Sequence, residues 1–396
     1  MSLIGRSFEI LKSRALSIRC VSTTSRAEYA SKDSNEVPED TIKKSVFISQ
    51  STDIHTNLAL EDWFYRNYDF TNNHLLLLWK NDPCVVIGRH QNPWVESNVG
   101  AMEQLGISLA RRNSGGGTVY HDAGNVNLSF FTPRGRYNRR YNLEIITRAL
   151  YREWGLKSEI NKREDIVVQG DFKISGTAAK LGRPNAYHHC TLLVGVDKSS
   201  LSMALEKKED GIETNATVSV RSPVKNLTDI NSQVRTDTLM NAVGWEFLRT
   251  KALTLEDGGH ELVERQKGFQ MINPTEDWFP GLEKLKSAFK SWDWTFGKSP
   301  KFIVTRTIQV PMTDGRFHNL QLTLTVENGI VEDIKMSLPE NFAPAEASQD
   351  ASVITNLRGT RYNHEITERI ITAMGCKTVT PTESKNVNKS NIAVTL

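Results

Sequence analysis

The sequence predicts an α+β protein of two domains, and three observations carry that reading. At 396 residues the chain is long enough for a large core and two domains. Between about residues 45 and 195, short β-branched and aromatic runs are interleaved with amphipathic helical patterns. Near residue 280 the composition shifts: Trp278, Trp292 and Trp294 with Phe279 and Phe289 mark a packed junction, and a three-strand meander and one helix follow. The expected division is a larger domain over residues 46–280 and a small α+β domain over 295–377. No internal repeat or low-complexity run is visible.

The folded chain is expected to open with a strand at 45–49. Residues 57–67 put Leu60, Trp63 and Phe64 at helical spacing, with Asp53 or Thr56 as the cap. Residues 75–79 and 84–87 flank Asn81-Asp82-Pro83, which reads as strand, turn, strand. Gly88-Arg89-His90-Gln91-Asn92-Pro93 leaves a polar loop at a strand end, where functional loops tend to sit. A short helix over 96–105 leads to a strand at 107–110. Residues 142–154 place Leu143, Ile146, Leu150 and Trp154 on one helical face. Residues 166–168 and 172–178 form a hairpin around Gln169-Gly170-Asp171, and its second strand carries Lys173. Residues 187–195 are a further strand, and 201–263 read as looser helix. In the smaller domain the meander comprises 302–310, 320–326 and 330–336, with Asn328-Gly329 and Asp314-Gly315 as hairpin turns. A helix at 364–374 follows.

Charged residues make up 24% of the chain, hydrophobic residues 38%, and the formal net charge is +3, a balance that fits a soluble globular protein and gives no reason to expect nucleic acid. No apolar run approaches the roughly 20 residues that span a bilayer. Cys20, Cys84, Cys190 and Cys376 have neither metal-ligand nor disulfide-framework spacing, which indicates a reducing compartment. Without a coiled-coil pattern, a monomer is expected. The first 26 residues carry Arg6, Lys12, Arg14, Arg19 and Arg26 against the single acid Glu9, with Leu3, Ile4, Phe8, Leu11 and Ile18 near helical spacing. That is the composition of a mitochondrial import presequence, so residues 1–30 are assigned to one and the mature chain to the mitochondrial matrix.

The chain is organised around residues 111–125, Arg-Arg-Asn-Ser-Gly-Gly-Gly-Thr-Val-Tyr-His-Asp-Ala-Gly-Asn. Three glycines in a row destabilise any helix or strand interior, because glycine loses the most backbone freedom on folding. Such a run fits where the backbone passes close to another group or adopts φ > 0. The residues after it, Thr118-Val119-Tyr120 and 126–131, are β-branched or aromatic, so the loop opens into strands. A Walker loop or a dinucleotide fingerprint requires a helix there, and no Gly-Lys-Ser/Thr follows. What remains is a backbone flap carrying donors, flanked by two arginines and closed by His121, Asp122 and Asn125. On the glycines alone, a hairpin without a ligand stays ahead.

Three segments, 112–125, 163–165 (Arg-Glu-Asp) and 173–178 (Lys-Ile-Ser-Gly-Thr-Ala), are rich in groups that grip an acyl phosphate. With 187–193 (Tyr-His-His-Cys-Thr-Leu-Leu) and 89–94 (Arg-His-Gln-Asn-Pro-Trp) they resemble the lipoate–protein ligase and lipoyltransferase family. The resemblance covers residues 46–280 closely and the C-terminal domain more loosely. It implies a central mixed β-sheet flanked by helices, a fold shared with biotin–protein ligases, plus a smaller accessory domain. It also implies an acyltransferase that moves a lipoyl group onto a lysine of an acceptor domain. The acceptors implied are the E2 subunits of 2-oxoacid dehydrogenases and the glycine-cleavage H protein. The donor is lipoyl-AMP or an already lipoylated H protein. No tightly bound metal is expected, and Mg2+ enters only for a complete ATP-dependent ligase. A non-catalytic binder of lipoyl nucleotide or lipoyl domains is the rival from another class, and Lys173 argues against it.

In this frame Lys173 is the catalytic cation, bridging the carbonyl and phosphate of an activated acyl group. Gly115, Gly116 and Gly117 let backbone amides approach the ligand, and Arg112 orients either Ser114 or the phosphate. Tyr120, His121, Asp122 and Asn125 begin the strand that lines the acyl and adenine pocket in the family, with a core tyrosine and a satisfied histidine as the plainer alternatives. Asp165, beside Arg163, addresses the ribose hydroxyls or a metal-bridged phosphate. Ser175, Gly176, Thr177, His189, Thr191 and Thr217 complete the binding set. A zinc site at His188-His189-Cys190 is rejected, because neighbours on a strand point to opposite faces and no second ligand pair exists. Cys190 is retained as a minority acyl-enzyme candidate. One departure stands out: ligases of the family carry Asn-Asp where this chain has Glu164-Asp165, which disfavours activation by ATP and favours transfer from a preformed donor.

Overall fold

A computed structural model describes residues 37–206, 211–220, 222–311, 317–337, 357–363, 365–366 and 369–370. The presequence, the Asp314-Gly315 turn and most of the helix expected at 364–374 lie outside them. The described chain opens with β1 (Lys43–Ser49), α1 (Ile54–Asn67), β2 (Asn73–Trp79), β3 (Cys84–Ile87), the short helices α2 (Pro93–Glu96) and α3 (Val99–Leu105), and β4 (Ser108–Arg111). Then come β5 (Val119–His121), β6 (Asn125–Pro133), α4 (Arg139–Trp154), β7 (Glu159–Ile160), β8 (Ile166–Val168), β9 (Phe172–Lys173), β10 (Ser175–Leu181) and β11 (Asn185–Leu193). After these lie α5 (Lys198–Ala204), β12 (Ile212–Thr214), α6 (Thr236–Arg249), α7 (Gly259–Glu264), β13 (Gly268–Ile272), α8 (Leu282–Lys290) and α9 (Trp292–Thr295). The meander is β14 (Phe302–Pro311), β15 (Phe317–Glu327) and β16 (Ile330–Ser337). No described helix is long and apolar enough to cross a membrane.

The core is a six-stranded mixed sheet in the order β10-β11-β6-β2-β1-β13. β2, β1 and β13 run parallel, while β6, β11 and β10 add antiparallel. Both faces are covered, which is why Leu75-Leu76-Leu77-Leu78 is a continuous apolar run. Leu76, Leu78, Leu128 and Cys190 face α4 and α6, whereas Leu75, Leu77, Phe131 and Tyr187 face α1 and α8. Asp53 caps α1, accepting from the Thr56 N–H at 2.8 Å, and α4 ends at Gly155 with φ 64°.

The strand–turn–strand expected at 75–87 is there, but its strands do not pair. Both edges of β2 are taken by β1 and β6, so β3 leaves for a second sheet, β4-β3-β5. The helix expected over 96–105 is two short ones, broken at Ser97-Asn98, where the Asn98 side chain caps α3. β12 and β13 fall inside the stretch read as helix or left unread. β13 is a half-exposed edge strand, and β12 extends the C-terminal sheet to β12-β14-β15-β16. The Asn328-Gly329 hairpin forms with φ of 51° and 73°.

Phe279, Phe289 and Trp294 of the tryptophan cluster pack with α1 in one core cluster. Trp294 Nε1 donates to the Arg111 carbonyl at 2.7 Å, and Phe279 meets Trp63 edge-on at 5.0 Å. Arg111 itself is fully buried. Its guanidinium donates to the carbonyls of Gly88, Arg89 and Gln91 at 2.8–3.2 Å on one side and to that of Thr295 at 2.7 Å on the other. It therefore clamps the polar loop at 88–93 against α9. Burial, and then the neighbouring Arg89, draw its pKa down to about 10.

Candidate active site

The glycine stretch leaves β4, crosses above the central sheet and enters β5. Its shape is held from inside by Arg112. The Arg112 guanidinium donates from Nε to Ser114 Oγ (3.0 Å), from Nη1 to the Val86 carbonyl (3.0 Å), and from Nη2 to the carbonyls of Gly115 (2.6 Å) and Gly117 (2.7 Å). Gly116 has φ +91°, a conformation open to glycine. Beneath it a Cβ on Gly88 would stand 2.1 Å from the Gly116 carbonyl oxygen, so residue 88 must be glycine for the loop to lie this low. Gly88→Ala is expected to lift the loop, at an overpacking cost of about 1–3 kcal/mol, and to weaken lipoate binding by about tenfold in calorimetry.

Ser114 joins the loop to the sheet. Its Oγ meets His189 Nε2 at 2.7 Å, His189 Nδ1 donates to Glu61 Oε1 at 2.8 Å, and Glu61 also accepts from Ser129 Oγ at 2.6 Å. Serine, histidine and carboxylate in that order match a nucleophile relay. Here, however, Ser114 is 1% exposed and also accepts from Arg112, so the chain anchors the loop. Beside it Asp62 accepts from Asn113 Nδ2 at 2.7 Å and from Lys180 Nζ at 3.0 Å.

A strap of irregular chain, 215–220 and 222–225, ties the loop to Lys173. Ser219 Oγ accepts from the Thr118 N–H at 2.9 Å and from Gln91 Nε2 at 3.0 Å. Further along, the Lys173 N–H donates to the Pro223 carbonyl at 2.9 Å, and Lys225 N–H donates to the Lys173 carbonyl at 3.0 Å. Lys173 follows a tight turn made by Gln169 and Gly170, at φ 49° and 92°, and its ammonium lies 2.7 Å from Asp165 Oδ1. Val218, Val220, Val224 and Phe172 leave apolar surface exposed along this strap and turn.

The other sequence-predicted residues divide by what they touch. Gly176 packs against Val119 and donates its N–H to Thr191 Oγ1 at 2.9 Å, next to the glycine loop. Thr177 Oγ1 reaches the Glu164 carbonyl at 3.5 Å, and its own carbonyl would lie 3.9 Å from a Cβ on Gly116. Ser175 is buried and accepts from the Ile166 N–H at 2.8 Å, tying β8 to β10. Arg163 is exposed on the turn before β8, where its N–H donates to Asn161 Oδ1 at 2.9 Å. Asp122 closes the β5–β6 turn, accepting from the N–H groups of Gly124 (2.8 Å) and Asp197 (2.9 Å). Thr217 is exposed and holds the strap by its backbone, donating to the His90 carbonyl at 3.1 Å. On β5 the side chains alternate: Val119 faces the sheet core and Tyr120 packs on the far side with Ile87, Met102 and Leu193. Burial and then Asp122 raise the Tyr120 phenol to about 12. His121 and Asn125 are buried, and Arg112 and His189 both bear electrostatically on His121.

His188 and Cys190 share a face, and it is the opposite one from His189. His188 stacks on Phe130 with centroids 6.0 Å apart, and Cys190 lies in the core under α4, where burial pushes its thiol pKa up. A thiol there is inert and remote from the loop. Cys190→Ala is expected to keep transfer activity within about twofold while costing about 1 kcal/mol of stability in a melt. A cavity of about 360 Å³ opens on this side, lined by His74, Arg136, Tyr137 and Asn138 among others, and no sequence-predicted site residue lines it.

Glu61, Asp62, Lys180, Gly88 and Gln91 escaped the sequence reading as site residues. Glu61-Asp62 carried a usable signal: two acids inside the apolar stripe Leu58, Leu60, Trp63 and Phe64 have no reason to be buried unless they bind something polar.

Residues 53–248 match the lipoyl protein ligase A/B catalytic domain. The mitochondrial lipoyl amidotransferase of Mus musculus is 42% identical over 303 residues, covering 76% of this chain and 78% of its own length. The chain belongs to the lipoate–protein ligase and lipoyltransferase family. The mitochondrial lipoyl amidotransferase of Homo sapiens is similar as well, 40% identical over 309 residues that cover 77% of this chain and 79% of that one. Among solved structures, a P. falciparum protein in complex with lipoate superposes with a TM-score of 0.53 at 25% identity, over 87% of this chain and 98% of that chain. This member of the lipoyltransferase family is thus an acyltransferase. The glycine stretch at 115–117 falls inside the matched region, as do Lys173 and His189.

Proposed function

We propose that the chain carries a lipoyl group from lipoyl-AMP, or from lipoylated glycine-cleavage H protein, to the target lysine of lipoyl domains in E2 subunits of 2-oxoacid dehydrogenases. It does so in the mitochondrial matrix, with residues 46–280 as the catalytic domain and 295–377 as an accessory one. The supporting observation is the Lys173–Asp165 pair, 2.7 Å apart and joined to the glycine loop by the strap. In lipoyl-AMP the acyl carbon is bonded to a phosphate oxygen. The acceptor amine attacks that carbon, a C–N bond forms, the C–O bond to phosphate breaks and AMP departs, while the amine gives up its proton. Negative charge grows first on the carbonyl oxygen and then on the leaving phosphate. A compact ammonium held by Asp165 meets both, and Gly115, Gly116 and Gly117 present backbone to the same group.

Transfer from a preformed donor is favoured over ATP-driven ligation by Glu164. It adopts φ 59° and turns its carboxylate to Arg139 Nη1 at 2.9 Å, away from the Lys173 pair. The test is one set of incubations with apo H protein and apo E2 lipoyl domain, read by mass spectrometry. Lipoyl-AMP or lipoylated H protein should each add one lipoyl group to E2. Lipoate with ATP and no acceptor should release no pyrophosphate, and release at the transfer rate would establish the complete ligase instead.

A further inference from the structure

The neighbourhood of His121 contains a hydrogen-bonded chain whose polarity can be read from one end. Asn57 is fully buried, and one terminal atom of its amide faces the carbonyls of Ser51 (2.9 Å) and Lys80 (3.1 Å). Carbonyl oxygens only accept, so that atom is Nδ2. Asn57 Oδ1 consequently accepts from Ser49 Oγ at 2.7 Å, and Nδ2, its two hydrogens shared among three acceptors, also faces an atom of Asn81 at 2.9 Å that must therefore be Oδ1. Asn81, itself buried, is thereby left with Nδ2 facing His121 Nδ1 at 2.9 Å. An amide nitrogen only donates, so His121 Nδ1 must accept and the ring proton sits on Nε2.

That Nε2 is buried and has no partner among the described residues. Leaving an N–H without an acceptor inside a protein costs about 1–3 kcal/mol, which a fold tolerates where a ligand supplies the acceptor. The ring lies edge-on to Trp79 at 6.2 Å, on the strand that the glycine loop enters. It stays neutral: burial first, then the nearby Arg112 and His189, hold its pKa at about 3. The Oδ1 of Asn125, four residues on, is likewise buried without a partner.

We propose that Asn81 is a positioning residue that fixes His121 as its Nε2–H tautomer, so that a neutral N–H donates to an acceptor atom of the lipoyl group. This rests on the lipoyl donor of the proposed function reaching His121 from the glycine loop. The chain Ser49, Asn57, Asn81 works as an orienting relay: none of the three needs to touch substrate, yet together they decide which ring nitrogen can. A carboxylate in place of Asn81 would accept from both sides, from Asn57 Nδ2 and from a protonated His121 Nδ1. The neutral ring would then turn its bare Nε2 toward the substrate.

The experiment is a long-range proton–nitrogen correlation spectrum of the full chain with 15N-labelled histidine, with His121 assigned by loss of its signals in His121→Gln. Wild type should show Nε2 protonated and Nδ1 bare, unchanged from pH 8 to pH 5, and added lipoyl-AMP should shift the Nε2–H resonance. In Asn81→Asp the proton should move to Nδ1, and KM for lipoyl-AMP should rise about tenfold with kcat nearly unchanged. An Nδ1–H tautomer in the wild type overturns the proposal, and that measurement stands even if Asn81→Asp does not fold. A moved proton with unchanged KM overturns it too. Calorimetry with lipoyl-AMP separates the two levels. If lipoyl-AMP binds while the Nε2–H stays unmoved, this inference alone fails; if lipoyl-AMP does not bind at all, the lipoyl reading fails with it.

Discussion

Replacing Lys173 with alanine is expected to slow single-turnover transfer from lipoyl-AMP to apo H protein by about 10²–10³, with a smaller loss of donor affinity. The ammonium meets charge that appears only as the acceptor amine attacks, so its removal falls on the chemical step. Lys173→Arg should not restore the rate, because a planar fork cannot occupy the place of a compact cation between two oxygens. The structure adds a consequence for stability. Asp165 is 6% exposed and loses its ion partner, 2.7 Å away, when the lysine goes. Because Lys173 itself keeps contact with solvent, the cost is set at about 1 kcal/mol, a drop of roughly 2–4 °C in Tm. Lys173→Ala combined with Asp165→Asn should recover the melting temperature and leave transfer as slow as before. Near-normal transfer by Lys173→Ala would remove the lysine from the mechanism.

How much of this was legible in the sequence depended on whether the cause was local. α1 and α4 were readable because one face of each buries a helical stripe, Leu60, Trp63 and Phe64 in the first and Leu143, Ile146 and Leu150 in the second. The turn at Gln169-Gly170 was readable because it needs positive φ, but of the second strand expected at 172–178 only Phe172 and Lys173 pair with β8, while residues from 175 on join β11 in the central sheet. β13 was not, since it pairs with β1 more than two hundred residues away and has one exposed edge. β2 and β3 look like hairpin partners in one dimension, and the two neighbours that occupy β2 become visible only in three. The site shows the same division. Motif residues marked the glycine loop, Lys173 and His189, but whether a side chain points inward is a matter of register. Tyr120 and His121 are adjacent in sequence and pack on opposite sides of β5, while Ser175, in the middle of a motif, bonds to backbone. Glu61 was missed because its partner, His189, lies 128 residues on.

The choice left open for Arg112, between orienting Ser114 and holding phosphate, has a decisive test in Arg112→Lys. The guanidinium is directed at four protein acceptors: Ser114 Oγ and the carbonyls of Val86, Gly115 and Gly117. A lysine has one nitrogen where these need donors from three, so at least two buried acceptors lose their bond, at a cost of about 1–3 kcal/mol each. The variant is expected to lose roughly 3 kcal/mol of stability in urea and about 10²-fold in transfer, as the glycine loop relaxes from its position over the sheet. Binding of free lipoate, which has no phosphate, should weaken along with binding of lipoyl-AMP. Were Arg112 a phosphate ligand, lysine would serve as a point charge, lipoate affinity would be untouched and only the nucleotide donor would bind less tightly. Parallel calorimetric titrations of the two compounds therefore separate the roles, and a parallel loss assigns Arg112 to the shape of the loop.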